Sequence, residues 1–95
     1  LKKVNASGAV LQTIDRQNVW RALTPQVFRF KLLLDALEKA EQDGFVVTDE
    51  ASAVERMGTS FHVVSGRDDN LKITQGQDLI IAEQLFVWQK QQGLR

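Results

Sequence analysis

Three side chains of the sequence could together hold a phosphate monoester. Arg16 follows an apolar stretch, Thr24 precedes the only proline, and Lys72 lies in a short apolar run after a polar loop. Arginine offers a planar fork of N–H donors, threonine a hydroxyl donor, and lysine a compact positive charge. These groups suit a phosphate, but spacing along the chain cannot by itself bring them together. The residues alone leave a shared site as one hypothesis among several.

The other candidates for chemistry are weaker. His62 lies in a β-rich run with no Ser or Cys nucleophile pattern beside it, which favours a surface or packing role. Asp68, Asp69 and Asn70 lack the alternating spacing and distal Glu of a calcium loop, so an Asx turn is favoured over a metal site. No glycine-rich phosphate-binding motif is present, and the two tryptophans are typical of packing or interface residues.

Composition excludes several classes of protein. The 95 residues include twelve basic and twelve acidic side chains, no cysteine and 43% apolar residues. These values exclude disulfide frameworks, thiol catalysis and a uniformly basic nucleic-acid coat. No apolar run approaches the roughly 20 residues of a membrane span. The length predicts one modest core that buries roughly two-thirds of the surface exposed by the unfolded chain.

The neutral total hides an uneven distribution of charge. Residues 1–31 carry six basic residues against one acid, a net charge of +5, and residues 32–58 carry seven acids against two bases, a net charge of −5. The first block leaves room for a local anion site. A solvated face is the competing interpretation of both blocks.

The elements that must position these residues follow from alternation, helical spacing and turn formers. Residues 2–14 alternate around a small-residue turn and predict a β-hairpin, which needs a packing partner because a two-stranded hairpin is marginal alone. Further short strands are predicted at Phe61–Val64 and Leu71–Ile73. Helices are predicted at Gln17–Ala22, from near Arg29 to Gly44 after an extended connection, from Thr48-Asp49-Glu50 to Gly58, and from Gln75 to Gln91 with a Thr74–Gln77 capping box.

Four strings in this order resemble a known family. They are I-D-R at residues 14–16, L-T-P-Q at 23–26, T-D-E-A-S-A at 48–53 and G-R-D-D-N-L-K-I-T at 66–74. Their order and separations are similar to those in the C-terminal part of 2-C-methyl-D-erythritol 4-phosphate cytidylyltransferase, an enzyme of non-mevalonate isoprenoid biosynthesis. Any one string alone would be weak. Together they cover essentially the whole chain.

The resemblance implies a magnesium-dependent transfer, in which the phosphate of methylerythritol phosphate attacks the α-phosphate of CTP and pyrophosphate leaves. It implies that Arg16 and Lys72 position the methylerythritol phosphate and that Thr24 contacts this substrate. The expected fold is α/β, the C-terminal half of a three-layer Rossmann-like nucleotidyltransferase domain with a protruding hairpin. Residues 1–95 would form one segment of that domain, and residues 2–16 its dimerisation arm. The hairpin's missing partner would then be a second protomer.

The resemblance also implies a cytoplasmic bacterial homodimer with no nucleic-acid or membrane partner. The family's glycine-rich CTP loop has no match in the sequence, so the main magnesium ligands are expected outside it. The start at Leu1 favours a part of a longer polypeptide, inactive alone. Whether Asp68 or Asp69 approaches the metal is left open. The alternatives are another sugar-nucleotide transferase of the same fold and a non-catalytic interaction module.

Overall fold

The computed structural model describes all 95 residues and contains two short strands and three helices. The strands are β1 (Lys2–Val4) and β2 (Val10–Thr13), and the helices are α1 (Phe30–Gln42), α2 (Glu50–Arg56) and α3 (Gly76–Gln91). The predicted hairpin and the three predicted helices after residue 28 are confirmed. The chain is an α/β segment with one two-stranded antiparallel sheet.

The hairpin is organised by its own turn. The Asn5 side-chain oxygen accepts hydrogen bonds from the backbone N–H groups of Ser7 and Ala9, each at 3.0 Å, and Gly8 adopts a φ of +84°. An Asx turn followed by a left-handed glycine reverses the chain between the strands. Neither strand lies against a helix. The strand register has an irregularity and pairs Lys2 with Thr13, Lys3 with Gln12 and Val4 with Val10.

The helices α1 and α2 form the packed part of the chain. Ala36 of α1 and Ala53 and Val54 of α2 are buried against each other. The small alanine side chains let the two helices approach closely, and Val54 fills the space between them. Partly buried apolar side chains surround this cluster: Phe28, Leu32, Leu33 and Val47.

Gly44 ends α1 as the sequence predicts. Its φ is +65°, its N–H donates to the Glu41 carbonyl at 3.1 Å, and the Phe45 N–H donates to the Ala40 carbonyl at 2.9 Å. These two bonds form a Schellman motif, which satisfies carbonyls left free at the helix end.

Three local predictions are wrong. Residues 17–22 are not helical, because the Asp15 carboxylate accepts the Gln17 N–H at 3.0 Å and Asn18 adopts a left-handed φ of +61°, which makes a turn instead. Phe61–Val64 and Leu71–Ile73 form no strands, because no neighbouring strand pairs with them in this chain. The helix α3 has no Thr74–Gln77 capping box. The Asp78 carboxylate caps it instead, accepting the N–H groups of residues 74 and 75 at 2.9 and 2.8 Å.

The chain leaves most of its apolar surface uncovered. Four residues are buried, and the accessible surface is 8419 Å², against about 5,500 Å² for a compact protein of this mass. The radius of gyration is 17.7 Å, against about 12 Å for a compact chain of 95 residues. The prediction that this chain buries two-thirds of its surface is therefore wrong. The helix α3 packs against no other element and exposes apolar side chains such as Ile80 and Val87.

No helix combines the length and the apolar character that a membrane crossing requires.

Candidate functional site

The side chain of Gln26 joins the L-T-P-Q string to the start of α2. Its Nε2 donates to Oδ2 of Asp49 at 3.0 Å, and its Oε1 accepts the N–H of Ala51 at 3.0 Å. Both ends of the amide are thus used, and one of the free N–H groups of the helix N-terminus is satisfied. Gln26 therefore fixes the residues that follow the cis Thr24–Pro25 peptide against the α1–α2 pair.

Asp49 is the N-cap that receives this bond. Its Oδ1 accepts the N–H of Ser52 at 2.8 Å, and its own N–H donates to the Ser52 hydroxyl at 3.3 Å, which completes a capping box. The hydrogen bond from Gln26 and then that from the Ser52 N–H lower the pKa of the Asp49 carboxyl below its ordinary value. The acid at this position thus serves the helix cap.

A second hydrogen bond holds the Thr24 segment, and its donor lies in the loop of residues 66–70. Nδ2 of Asn70 donates to the Thr24 carbonyl oxygen at 2.7 Å. Around this bond the two segments are also in apolar contact: Phe61 meets Phe28 edge-on with ring centroids 5.5 Å apart, and Leu23 lies beside Gly66. The Thr24 segment is thus held between α2 on one side and the loop on the other.

The loop itself is fixed by Asp69. Arg67 donates two hydrogen bonds to its carboxylate, from Nε to Oδ1 and from Nη2 to Oδ2, each at 2.8 Å, and Nε2 of Gln89 in α3 donates to Oδ2 at 2.8 Å. The Asp69 side chain is only 10% exposed. The Arg67 bonds first, and then the Gln89 bond, lower the pKa of Asp69 to about 2. Asp69 therefore anchors the loop to α3 as a carboxylate.

A shallow groove of about 360 Å³ lies beside this anchor. Arg67, Gln89 and Arg95 line it together with apolar side chains from the loop and from α3. Its polar groups already bond one another, since Arg67 and Gln89 both hold Asp69, and Arg95 donates to Gln89. The groove therefore lies where the loop contacts α3.

The chain does not form a magnesium site by itself. No group of three or more His, Cys, Asp or Glu side chains lies close enough together to hold a metal ion. Asp69 accepts three hydrogen bonds from its own chain, whereas Asp68 is exposed and makes none. The donor set of these residues does not fit a magnesium ion without further ligands.

The structure brings two of the three predicted site residues onto connected segments. Lys72 follows Asn70 by two residues, so it extends from the loop that bonds to Thr24. The Lys72 side chain is exposed, has no ion pair, and is free to meet an anion, and the Thr24 hydroxyl makes no bond within the chain. Arg16 stands apart. It follows the hairpin, is exposed, and its guanidinium meets no other residue by hydrogen bond or ion pair.

Motifs and spacing do not single out Gln26, Asn70 and Gln89, whose side chains make these hydrogen bonds. Gln26 and Asn70 lie inside the strings that carry the family resemblance, so their place beside Thr24 and Lys72 was a usable signal. Gln89 has no such signal, because one polar residue in a long helix is typical of an exposed face. Only the folded chain shows that it reaches Asp69.

Comparison with known proteins identifies one family. The sequence model of 2-C-methyl-D-erythritol 4-phosphate cytidylyltransferase matches residues 1–87. The chain is 51% identical over 83 residues to the protein of that name from Hahella chejuensis, covering 87% of this chain and 34% of the relative. It is 49% identical over 87 residues to that of Ectopseudomonas mendocina, covering 92% and 37%.

A solved structure shares the fold. A crystal structure of 4-diphosphocytidyl-2C-methyl-D-erythritol synthase superposes with a TM-score of 0.72 at 41% identity, covering 90% of this chain and 37% of the solved one. The chain thus spans about a third of the length of the proteins it matches.

Proposed function

This chain belongs to the 2-C-methyl-D-erythritol 4-phosphate cytidylyltransferase family, and we propose that it is part of an enzyme that transfers a cytidylyl group from CTP to 2-C-methyl-D-erythritol 4-phosphate. The products are 4-diphosphocytidyl-2-C-methyl-D-erythritol and pyrophosphate, in non-mevalonate isoprenoid biosynthesis. The observation that carries the proposal is the family match over residues 1–87, which includes Arg16, Thr24 and Lys72.

In the proposed reaction, this segment holds the acceptor phosphate. An oxygen of the methylerythritol phosphate forms a bond to the α-phosphorus of CTP, and the bond from that phosphorus to the β-phosphate oxygen breaks, releasing pyrophosphate. Two anionic groups must meet, so the reaction needs positive charge and fixed geometry more than proton transfer. Lys72 and Arg16 supply the charge, and Thr24 donates a hydrogen bond.

CTP and magnesium belong, in this proposal, to the part of the enzyme outside these 95 residues. The matched relatives are about two and a half times as long as this chain, and this chain forms no metal site by itself. That larger part would complete a three-layer Rossmann-like domain in the bacterial cytoplasm, with this chain as its C-terminal part. The apolar side chains exposed on α3 support such a neighbour, since a helix that is apolar on all sides is typically buried.

The hairpin is proposed to be a dimerisation arm. Its strands touch no helix of their own chain, and it exposes Val4, Val10 and Leu11 by 50, 61 and 59%. A marginal hairpin with apolar side chains in solvent needs another surface to pack on. A second protomer would provide that surface, and Arg16 would then serve the partner's site.

The test is the loss of acceptor binding on removal of each cation in the full-length enzyme. We expect Arg16→Ala and Lys72→Ala each to lower kcat/KM for methylerythritol phosphate by roughly 100-fold or more, with little change in KM for CTP. The measurement is pyrophosphate release with each substrate varied in turn. The matched controls are Arg21→Ala and Lys31→Ala, exposed cations of the same basic block. Activity within a few-fold of wild type in both site variants would overturn the proposed roles.

A further inference from the structure

The Thr24 segment has no regular secondary structure to hold it in place. Between the end of β2 at Thr13 and the start of α1 at Phe30, the chain forms neither strand nor helix. In such a segment the backbone is ordered only by specific contacts. The position of the Thr24 hydroxyl is therefore set by the side chains that bond to its neighbours and its carbonyl.

The segment that carries Lys72 likewise lacks regular secondary structure, because residues 57–75 contain no strand or helix. The loop is held to α3 by the bond from Gln89 to Asp69, and to the Thr24 carbonyl by the bond from Asn70. Adjacent residues 69 and 70 thus face two different partners.

These bonds also connect two bodies that do not pack on each other. The helix α3 lies against neither α1 nor α2. A series of hydrogen bonds connects α3 to Thr24 through Gln89, Asp69 and Asn70, and Gln26 connects the Thr24 segment to the N-terminus of α2. Together with the apolar contacts around Phe61 and Gly66, these hydrogen bonds determine the position of the loop relative to α1 and α2.

We propose that Asn70 and Gln26 are positioning residues that hold the Thr24 hydroxyl and the Lys72 ammonium group at a fixed separation, so that both contact one acceptor phosphate. Asn70 sets the loop against the Thr24 carbonyl, and Gln26 sets the Thr24 segment against α2. The inference rests on the proposed function for the identity of the phosphate. The two hydrogen bonds themselves do not depend on it.

The decisive variants are Asn70→Leu and Asn70→Asp in the full-length enzyme. Both have nearly the shape of Asn and lack the Nδ2 donor, but only Asp adds a negative charge. We expect each to raise KM for methylerythritol phosphate by roughly 10-fold to 100-fold, while KM for CTP stays within about twofold. Gln26→Met is expected to act in the same direction with a smaller effect. Gln91→Leu, at the exposed end of α3, is the matched control.

Amide hydrogen exchange of the same proteins gives a readout independent of turnover. Loss of the hydrogen bond from Asn70 to the Thr24 carbonyl is expected to speed amide exchange in residues 66–72 several-fold, with exchange in α1 unchanged. An unchanged KM for the acceptor in Asn70→Leu would overturn the inference, as would a rise confined to Asn70→Asp, which would report charge alone. If the wild-type enzyme failed to use these substrates, the proposed function would fall, and unchanged exchange in Asn70→Leu would still separately overturn the positioning role.

Discussion

The two cations predicted for the site, Arg16 after the hairpin and Lys72 just after the loop of residues 66–70, lie in regions that the chain holds in different ways. The hairpin is regular, with paired strands and a bond from Lys2 to Thr13 across them, yet it touches no helix. The loop is irregular, yet it is bonded to α3 on one side and to the Thr24 carbonyl on the other.

This difference separates local order from placement. Ladder hydrogen bonds define the shape of the hairpin, but they say nothing about where its end lies relative to the rest of the molecule. The loop has few backbone hydrogen bonds. Its location is defined by two side-chain hydrogen bonds, to partners 20 and 46 residues away in the sequence. Side-chain bonds within this chain thus connect the segments of Lys72 and Thr24, whereas the hairpin before Arg16 contacts no helix.

The largest expected effect concerns the subunit whose site Arg16 serves. Full-length Arg16→Ala and Lys72→Ala subunits, carrying different affinity tags, are co-expressed and the mixed dimer is purified. If Arg16 acts in the partner's site, one site of the mixed dimer has both cations, and the expected pyrophosphate release is roughly half that of wild type. Each parent variant alone is expected to retain about 1% or less.

The opposite outcome is equally clear. If Arg16 acts within its own subunit, both sites of the mixed dimer lack one cation, and activity stays at the level of the parents. The control is a mixed dimer of two differently tagged Lys72→Ala subunits, which has no complete site in either arrangement. Failure of the mixed dimer to exceed this control would show that Arg16 does not serve the partner's site.

A second test concerns the core that supports the Thr24 segment. Val54 is completely buried between α1 and α2, and Gln26 bonds to the N-terminus of the same helix. We expect Val54→Ala to destabilise the full-length enzyme by about 2 kcal/mol in urea unfolding, because it removes two methyl groups and leaves a cavity. Hydrogen exchange in residues 1–14 should not change.

The control is Glu38→Ala, since Glu38 is an exposed polar residue on α1. Its expected cost is under about 0.5 kcal/mol. Equal losses in the two variants would indicate that the α1–α2 cluster is not the core of this region. Faster exchange in the hairpin would show that the two regions are coupled after all.

Local signals in the sequence predict part of the fold correctly. Neighbouring residues indicate the hairpin turn, Gly44 at the end of α1 and the acidic cap of α2. Local signals do not predict the turn at residues 17–22, where the Asp15 side chain competes with a helix, and they wrongly predict two strands, because a strand needs a partner that no local pattern reveals. The resemblance named Thr24 and Lys72, but no spacing rule could show that Asn70 ties their segments.

The two charge blocks show the same limit. In the acidic block, Asp43 is held by Lys39 and Arg56, and Asp49 caps α2, so much of that charge serves local structure. In the basic block, Lys31 pairs with Asp35 on the surface of α1, while Arg16 has no partner. Net charge alone therefore does not distinguish a cation without a partner from one that is held in an ion pair.

The smallest expected effect concerns Asp69, whose pKa of about 2 lies below the ordinary value of 3.8 because Arg67 and Gln89 bond to the carboxylate. A lowered pKa in the folded protein means that ionised Asp69 stabilises the fold above about pH 4, and that this stabilisation is lost as the pH falls toward 2. Asp69→Asn should therefore lower Tm near neutral pH, with a difference from wild type that shrinks between about pH 4 and 2. Asp68→Asn, at the exposed neighbour without a bond, should differ little from wild type at either end of that range.

Because the hairpin makes no contact with Asp69, its hydrogen exchange should not follow this pH dependence, whereas that of residues 66–72 should. A Tm difference that stayed constant over the range would mean that Asp69 holds the loop by packing rather than by charge, and the contrast between an anchored loop and an unanchored hairpin would lose its electrostatic basis.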